Sequence, residues 1–455
     1  MLIRFILLSC LVLQPNVNWL LAGGGQGAGG AGGAGAGAGA GGILISPDGV
    51  VSAPKARRVD LKLEQQRLQA LAGRQLPAEM NQVSGLRKVS LVRLEQKCRE
   101  ALDAGQEISQ ELRSLAGITQ LQYIFALPEV GDLVIAGPAE GFAAQENGRV
   151  IGTETGRPVL NLDDLLILLR LPSTSIQLGC SFDSDPSRLA AVRQWSRQNS
   201  SPASSAVAHQ RLHQMASIMG DWNIRIFGLP PACHAAVTAV EADFEMKLLT
   251  LGLKKPAIRR FRSHLDLAKP GENMTRRWWF APHYSAIERS PDSHAFHLSG
   301  PRLQLLSQEE LVDAQGNRSA AAFTELSSEK YTRQFNQHLT ELCRQVHSFA
   351  EIQNLFDLSV ATALIRTWKL MEAANWQPSL FLDAQRLPTR VYEVPTKVPS
   401  LLNVRKARRG MLIGKISGGV TITPDQLVDA ELITESVSLA DRVRPSTDVM
   451  RWWWD

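Results

Sequence analysis

Cys180-Ser181-Phe182-Asp183-Ser184-Asp185 places a thiol and two carboxylates at the end of an apolar run, just ahead of Pro186. Asp-Pro suits the cap and first position of a helix, and α/β sheets bind ligands beyond strand ends of this kind. A thiolate nucleophile at Cys180, or a cation held by Asp183 and Asp185, is the chemistry on offer. A helix cap beside a buried cysteine is the plainer reading. Cys233-His234 opens another helical pattern, where the helix dipole favours a thiolate. Neighbours on a helix point about 100° apart, so these two are not a preset dyad. On the same helix, Glu241 shares a face with Glu245, and Asp243 with Lys247. Paired carboxylates serve acid–base chemistry; a solvated face with an ion pair is the plainer reading. His209 and His213 share a helical face, but His209-Gln210-Arg211-Leu212-His213 lacks the glutamate of a zinc-protease helix. His294 and His297 fall on opposite faces of a strand. No metal site and no cofactor are expected.

Other residues suggest binding. Lys254, Lys255, Arg259, Arg260 and Arg262 form one basic cluster, and Arg405, Lys406, Arg408 and Arg409 form another. Either suits an acidic envelope polymer or lipid headgroups, and a solvated linker is the plainer reading. Trp452-Trp453-Trp454 sits beside the terminal Asp455. Three indoles do not stay in water cheaply, so the tail is expected to dock on its own protein or to anchor a partner. No phosphate-loop or dinucleotide fingerprint occurs, so no nucleotide is expected.

The elements that must position these residues follow from local patterns. Ile43–Ile45 and Val50-Val51 flank a Ser-Pro-Asp-Gly turn, a hairpin signal. Leu91, Leu94, Cys98 and Leu102 lie on one helical face, and Gly105 suits the stop. Strands are expected at 121–127 and 132–136, and a hairpin around Asn147-Gly148. Asn161 caps a helix with Asp163 and Asp164 in its first turn. Strand–helix units follow: a strand over 175–180 with a helix from Asp185-Pro186, then a strand over 223–227 with a helix from Pro230-Pro231 to about Leu249. Residues 327–374 hold two long helical patterns, the second capped by Ser348. Residues 388–425 are strand-rich, with Gly418-Gly419 as a turn. The expected fold is α/β, or α+β overall: an N-terminal part of strand–helix units and a C-terminal part of strands plus two long helices.

Composition and address frame this reading. The chain has 455 residues, 44% of them hydrophobic, and a net charge of +5. That is globular, and too weakly basic to imply nucleic acid. Arg4, the apolar run Phe5–Leu13 and the small residues Ala22-Gly23 have the layout of a secretory signal. Membrane contact is expected only through this segment, if uncleaved. Gly23–Gly42 contains only Gly, Ala and one Gln, a tether composition. The division expected is 1–22 signal, 23–42 tether, 43–253 α/β domain, 254–275 basic linker and 276–455 α+β domain with a Trp-rich tail. Cys98, Cys180, Cys233 and Cys343 remain after the signal; their pairing cannot be read from sequence.

Several segments resemble a family of exported proteins of unknown function, found chiefly in planctomycete bacteria. They include Ala136-Gly137-Pro138-Ala139-Glu140-Gly141, Gly156-Arg157-Pro158-Val159-Leu160, Cys180-Ser181-Phe182-Asp183, Val240-Glu241-Ala242-Asp243-Phe244-Glu245-Met246-Lys247 and Arg277-Trp278-Trp279-Phe280. The resemblance spans about 43–455 and departs at the basic stretch 254–262. It implies export and a shared fold, and carries no activity. The expectation is an exported, periplasmic or cell-envelope protein, non-enzymatic, that engages an unknown envelope protein or polymer. A hydrolase or transferase using Cys180, Asp183 and Asp185 is the first alternative, and a binder of acidic polymer the second.

Overall fold

The computed structural model describes residues 43–46, 49–52, 61–172, 176–201, 204–270, 272, 275–315, 317–407, 410–442, 448 and 451–455. The signal and tether segments lie outside these. The fold is mixed α/β, with helices packed on two largely antiparallel sheets.

One sheet runs Arg318–Ala320, Arg302–Val312, Thr275–His283, Gly410–Ile422, Leu178–Asp183, Trp222–Phe227 and Lys397–Val398, with Leu402–Ala407 also pairing Gly410–Ile422. The other runs Thr434–Glu435, Ala286–Arg289, Ala295–Ser299, Tyr123–Leu127, Asp132–Ala139, Ser84–Ser90 and Trp453–Trp454. Each sheet takes strands from both sides of 254–275. That segment therefore separates no two sheets, and the described residues form one compact unit.

Local signals account for many boundaries. Ser90 accepts from Arg93 N to cap Leu91–Asp103, and Gly105 follows with φ of 67°. The Asn147-Gly148 turn joins Phe142–Ala144 to Val150–Gly152. Three expectations change. Ser348 lies inside the helix His347–Thr367, and Val346 precedes that helix. The helix expected from Pro230 begins at His234, capped by Cys233. Gly418 and Gly419 are not a turn: they lie inside the strand Gly410–Ile422. The reason is steric, because a Cβ at Gly418 or Gly419 would strike the carbonyl of Trp278 or Cys180 on the neighbouring strands.

The helix His234–Leu251 packs against that strand and against His347–Thr367. Residues 235–251 are all buried, so the acidic and basic side chains among them are enclosed too. A solvated face on this helix was the plain expectation for Glu241, Asp243, Glu245 and Lys247. Instead each is buried beside an opposite charge: Glu241 by Arg149, Asp243 by Lys247, and Glu245 by Lys254.

Candidate functional site

At the strand end singled out by sequence, the structure finds no open site. Cys180 is 1% exposed, and burial pushes its thiol well above the usual range. Asp185 caps the helix Pro186–Gln198, accepting from the backbone N–H of Ser187 and Arg188. The Ser187 hydroxyl, which also donates to it, and then these backbone bonds hold its carboxyl below the usual range. Asp183 is half-exposed and faces Arg318 at 3.6 Å. The three do not form a thiolate or cation site together. Among the described residues, no three His, Cys, Asp or Glu side chains converge as metal ligands, and His209 and His213 stand exposed on Ser205–Met219.

The tryptophans are tied to the molecule. Trp453–Trp454 pairs antiparallel with Val89 and Lys88 as the edge of a sheet. Trp452 and Trp453 are buried, and the Arg87 guanidinium lies 4.8 Å from the Trp453 ring while bonding Asp455 at 2.9 Å. Arg405 donates to the carbonyls of Asp266 and Ala268. Arg408 and Arg409 lie outside the described residues, and the side chain of Lys406 is not described.

The convergent site is elsewhere, at the start of the His234–Leu251 helix. Asn161 caps Leu162–Leu169 and so fixes Asp163 and Asp164 in its first turn, both buried. Asp164 Oδ2 lies 2.8 Å from His234 Nδ1, and Asp163 meets Arg113 Nη1 at 3.2 Å. Glu351, on His347–Thr367, stands 3.9 Å from His234 Nε2. Arg149 follows the Asn147-Gly148 turn and joins two helices: its Nε donates to Glu351 Oε1 at 2.9 Å, and its Nη2 to Glu241 Oε2 at 2.8 Å. Tyr392 packs edge-on against the imidazole, with ring centres 5.5 Å apart, and its backbone N–H donates to Ala232.

These groups surround a cleft whose cavity measures about 40 Å³, lined by Arg113, Ser114, Arg149, His234, Glu351 and Tyr392, with the exposed Arg390 at its rim. A buried water needs about 10–15 Å³, so the cavity admits a small polar group. The electrostatics follow the partners. Burial disfavours the imidazolium of His234, but Asp164 and Glu351 outweigh it and hold the pKa up to about 9. Burial likewise opposes ionisation of Glu351, and Arg149 and His234 outweigh it, so its carboxyl lies below the usual range. His347, buried beside Arg149, falls to about 4. Cys233 does not join as a nucleophile: its Sγ accepts from Ala236 N, and burial pushes the thiol to about 12.

Of this constellation, sequence reading had singled out His234 and Glu241. Arg149, Asp164 and Glu351 come from distant segments. The available signal was the apolar surround of Glu241: in 234–251 apolar side chains recur around the whole helix between the charged ones, which marks a buried helix whose charges need partners.

A family model described as "Protein of unknown function (DUF1598)" matches residues 180–263. That segment holds Cys180, Asp183 and Asp185, and also Cys233, His234 and the buried charges of their helix. No curated protein and no solved structure matches the chain.

Proposed function

We propose that the protein is exported and acts in the cell envelope as a non-enzymatic interaction protein, and that the His234 cleft receives a small polar group of its partner. The observation behind this reading is the setting of His234, with a carboxylate facing each ring nitrogen, Asp164 at 2.8 Å and Glu351 at 3.9 Å. An imidazolium held in this way has no lone pair to take a proton from a nucleophile. The acid and base of the cleft are committed to each other, which suits binding and not turnover. The signal-like layout of the N-terminus and the resemblance of several segments to exported proteins support the address. Cys180 and Asp185, spent on packing and capping, weigh against a hydrolase or transferase there. Arg405, spent on backbone carbonyls, weighs against the polymer-binding alternative.

The test places a photo-crosslinking residue at Arg390, on the rim, and in a control at the exposed His209. The expected result is a defined adduct in cells from the rim position, lost with His234→Gln and absent from the control. Hydrolysis of a chromogenic ester by the purified protein, abolished by His234→Gln, would overturn the reading.

A further inference from the structure

Midway along the His234–Leu251 helix, away from the cleft, Asp243 and Lys247 form a second buried pair. Their side chains are 0% and 2% exposed, and Lys247 Nζ lies 2.5 Å from Asp243 Oδ2. At that distance an ordinary ion pair would be an aligned, charge-assisted hydrogen bond. Here the two groups are in close contact without an aligned hydrogen bond between them, and no neighbour supplies one to either carboxylate oxygen or to the nitrogen. The pair is pressed against the sheet at Gly418, where a Cβ would fall 2.6 Å from Asp243 Oδ1 and 3.2 Å from Lys247 Cε. The Phe182 ring centre lies 3.7 Å from Nζ, and that of Trp222 6.0 Å. Burial raises Asp243 to about 6 and lowers Lys247. Both shifts favour the neutral acid and the neutral amine, the forms that condense.

We propose that Asp243 and Lys247 are joined by an isopeptide bond that forms within the folded protein. The Nζ lone pair attacks Asp243 Cγ, a C–N bond forms, and a C–O bond of the carboxylic acid breaks. The departing hydroxyl takes a proton from nitrogen and leaves as water, so no oxidant, reductant or cofactor is required. Three features favour the step. The i,i+4 spacing stacks the side chains on one helical face, so the ring closes on an unchanged backbone. Confinement raises the effective concentration of amine against acid by orders of magnitude. Burial against the Phe182 and Trp222 rings favours uncharged reactants and product over an ion pair, with Arg277 and Asp183 the other charges acting on Asp243. The product is a covalent staple inside the helix that carries His234 and Glu241.

Peptide mapping of the full-length protein tests this. After denaturation and complete tryptic digestion, the bond predicts one peptide spanning 226–254, uncut after Lys247 and lighter than its sequence by one water. Asp243→Ala should restore cleavage after Lys247, and because the digest is run unfolded, the readout does not depend on the variant's stability. Separate 226–247 and 248–254 peptides of full mass from the unsubstituted protein would overturn the proposal. A 226–247 peptide lighter by one water, yet cleaved after Lys247, would mark a succinimide at Asp243 and overturn it equally.

Discussion

At the end of Leu178–Asp183, a cysteine and nearby aspartates stand within a few residues of one another; at the start of His234–Leu251, a cysteine and a histidine are adjacent. Both clusters lie in the matched 180–263 segment, and both cysteines are buried. At the first place Asp185 is used up locally, bonding the backbone of the helix it begins, and the half-exposed Asp183 meets Arg318. At the second, Asp164, Arg149 and Glu351 arrive from other elements and surround one imidazole beside a cavity. The difference teaches that polar residue types near an element's end are ambiguous by themselves. Partners brought from far along the chain distinguish a site from a cap.

The largest test of that contrast removes one charge from each place. Arg149→Met leaves Glu241 and Glu351 buried without their shared cation, and breaking a buried pair in this way costs about 3–5 kcal/mol. Asp183→Asn removes a half-exposed partner of Arg318, and such pairs contribute about 1 kcal/mol or less. Urea unfolding of both variants should show a far larger loss for Arg149→Met. Equal losses would mean that the cleft network holds the fold no more than a surface pair does.

The next effect is pH-dependent. His234 is raised from its usual range to about 9, so its contribution is fully present below about 6.5 and is lost as pH rises through about 9. The difference is worth about 3 kcal/mol, at about 1.4 kcal/mol per pH unit. Denaturation of the wild type and His234→Gln across pH 6 to 10 should show a gap between them that narrows on the alkaline side, and an NMR titration should place the imidazole midpoint near 9. A gap constant with pH, or a midpoint near 6.5, would remove the Asp164–His234 pairing from the site.

How much of this was legible before the structure depends on how far the signal travels along the chain. The Asn147-Gly148 hairpin and the caps at Asn161 and Asp185 are written within a few residues, because a cap is a bond from a side chain to a backbone N–H two or three positions on. Arg149 and Glu351 are separated by 202 positions, and no periodicity announces such a meeting. Gly418-Gly419 was misleading for a related reason. Glycine serves a turn or a close approach equally well, and the approach here is to strands and a helix supplied by other parts of the chain. The terminal tryptophans were legible as needing cover. Their role as an edge strand on Ser84–Ser90 was not, since that pairing joins Trp453 to Val89 and Trp454 to Lys88, far apart in the chain.

The smallest prediction returns to the strand end, where cap and cation site make different demands on the same carboxylate. If Asp185 serves Pro186–Gln198 as a cap, its value lies in the N–H groups of Ser187 and Arg188, and Asp185→Ala should cost about 1 kcal/mol. Asp185→Ser and Asp185→Asn should recover most of that, because a hydroxyl or an amide oxygen accepts from the same N–H groups without a charge. A cation site demands the charge, so neither replacement would serve it. Thermal or urea unfolding of the three variants, with and without millimolar calcium or magnesium, separates the demands. Recovery by Ser and Asn with no response to the cation leaves the strand end as architecture. Loss in all three, together with stabilisation of the wild type by the cation, would erase the contrast with the His234 cleft by making both places sites.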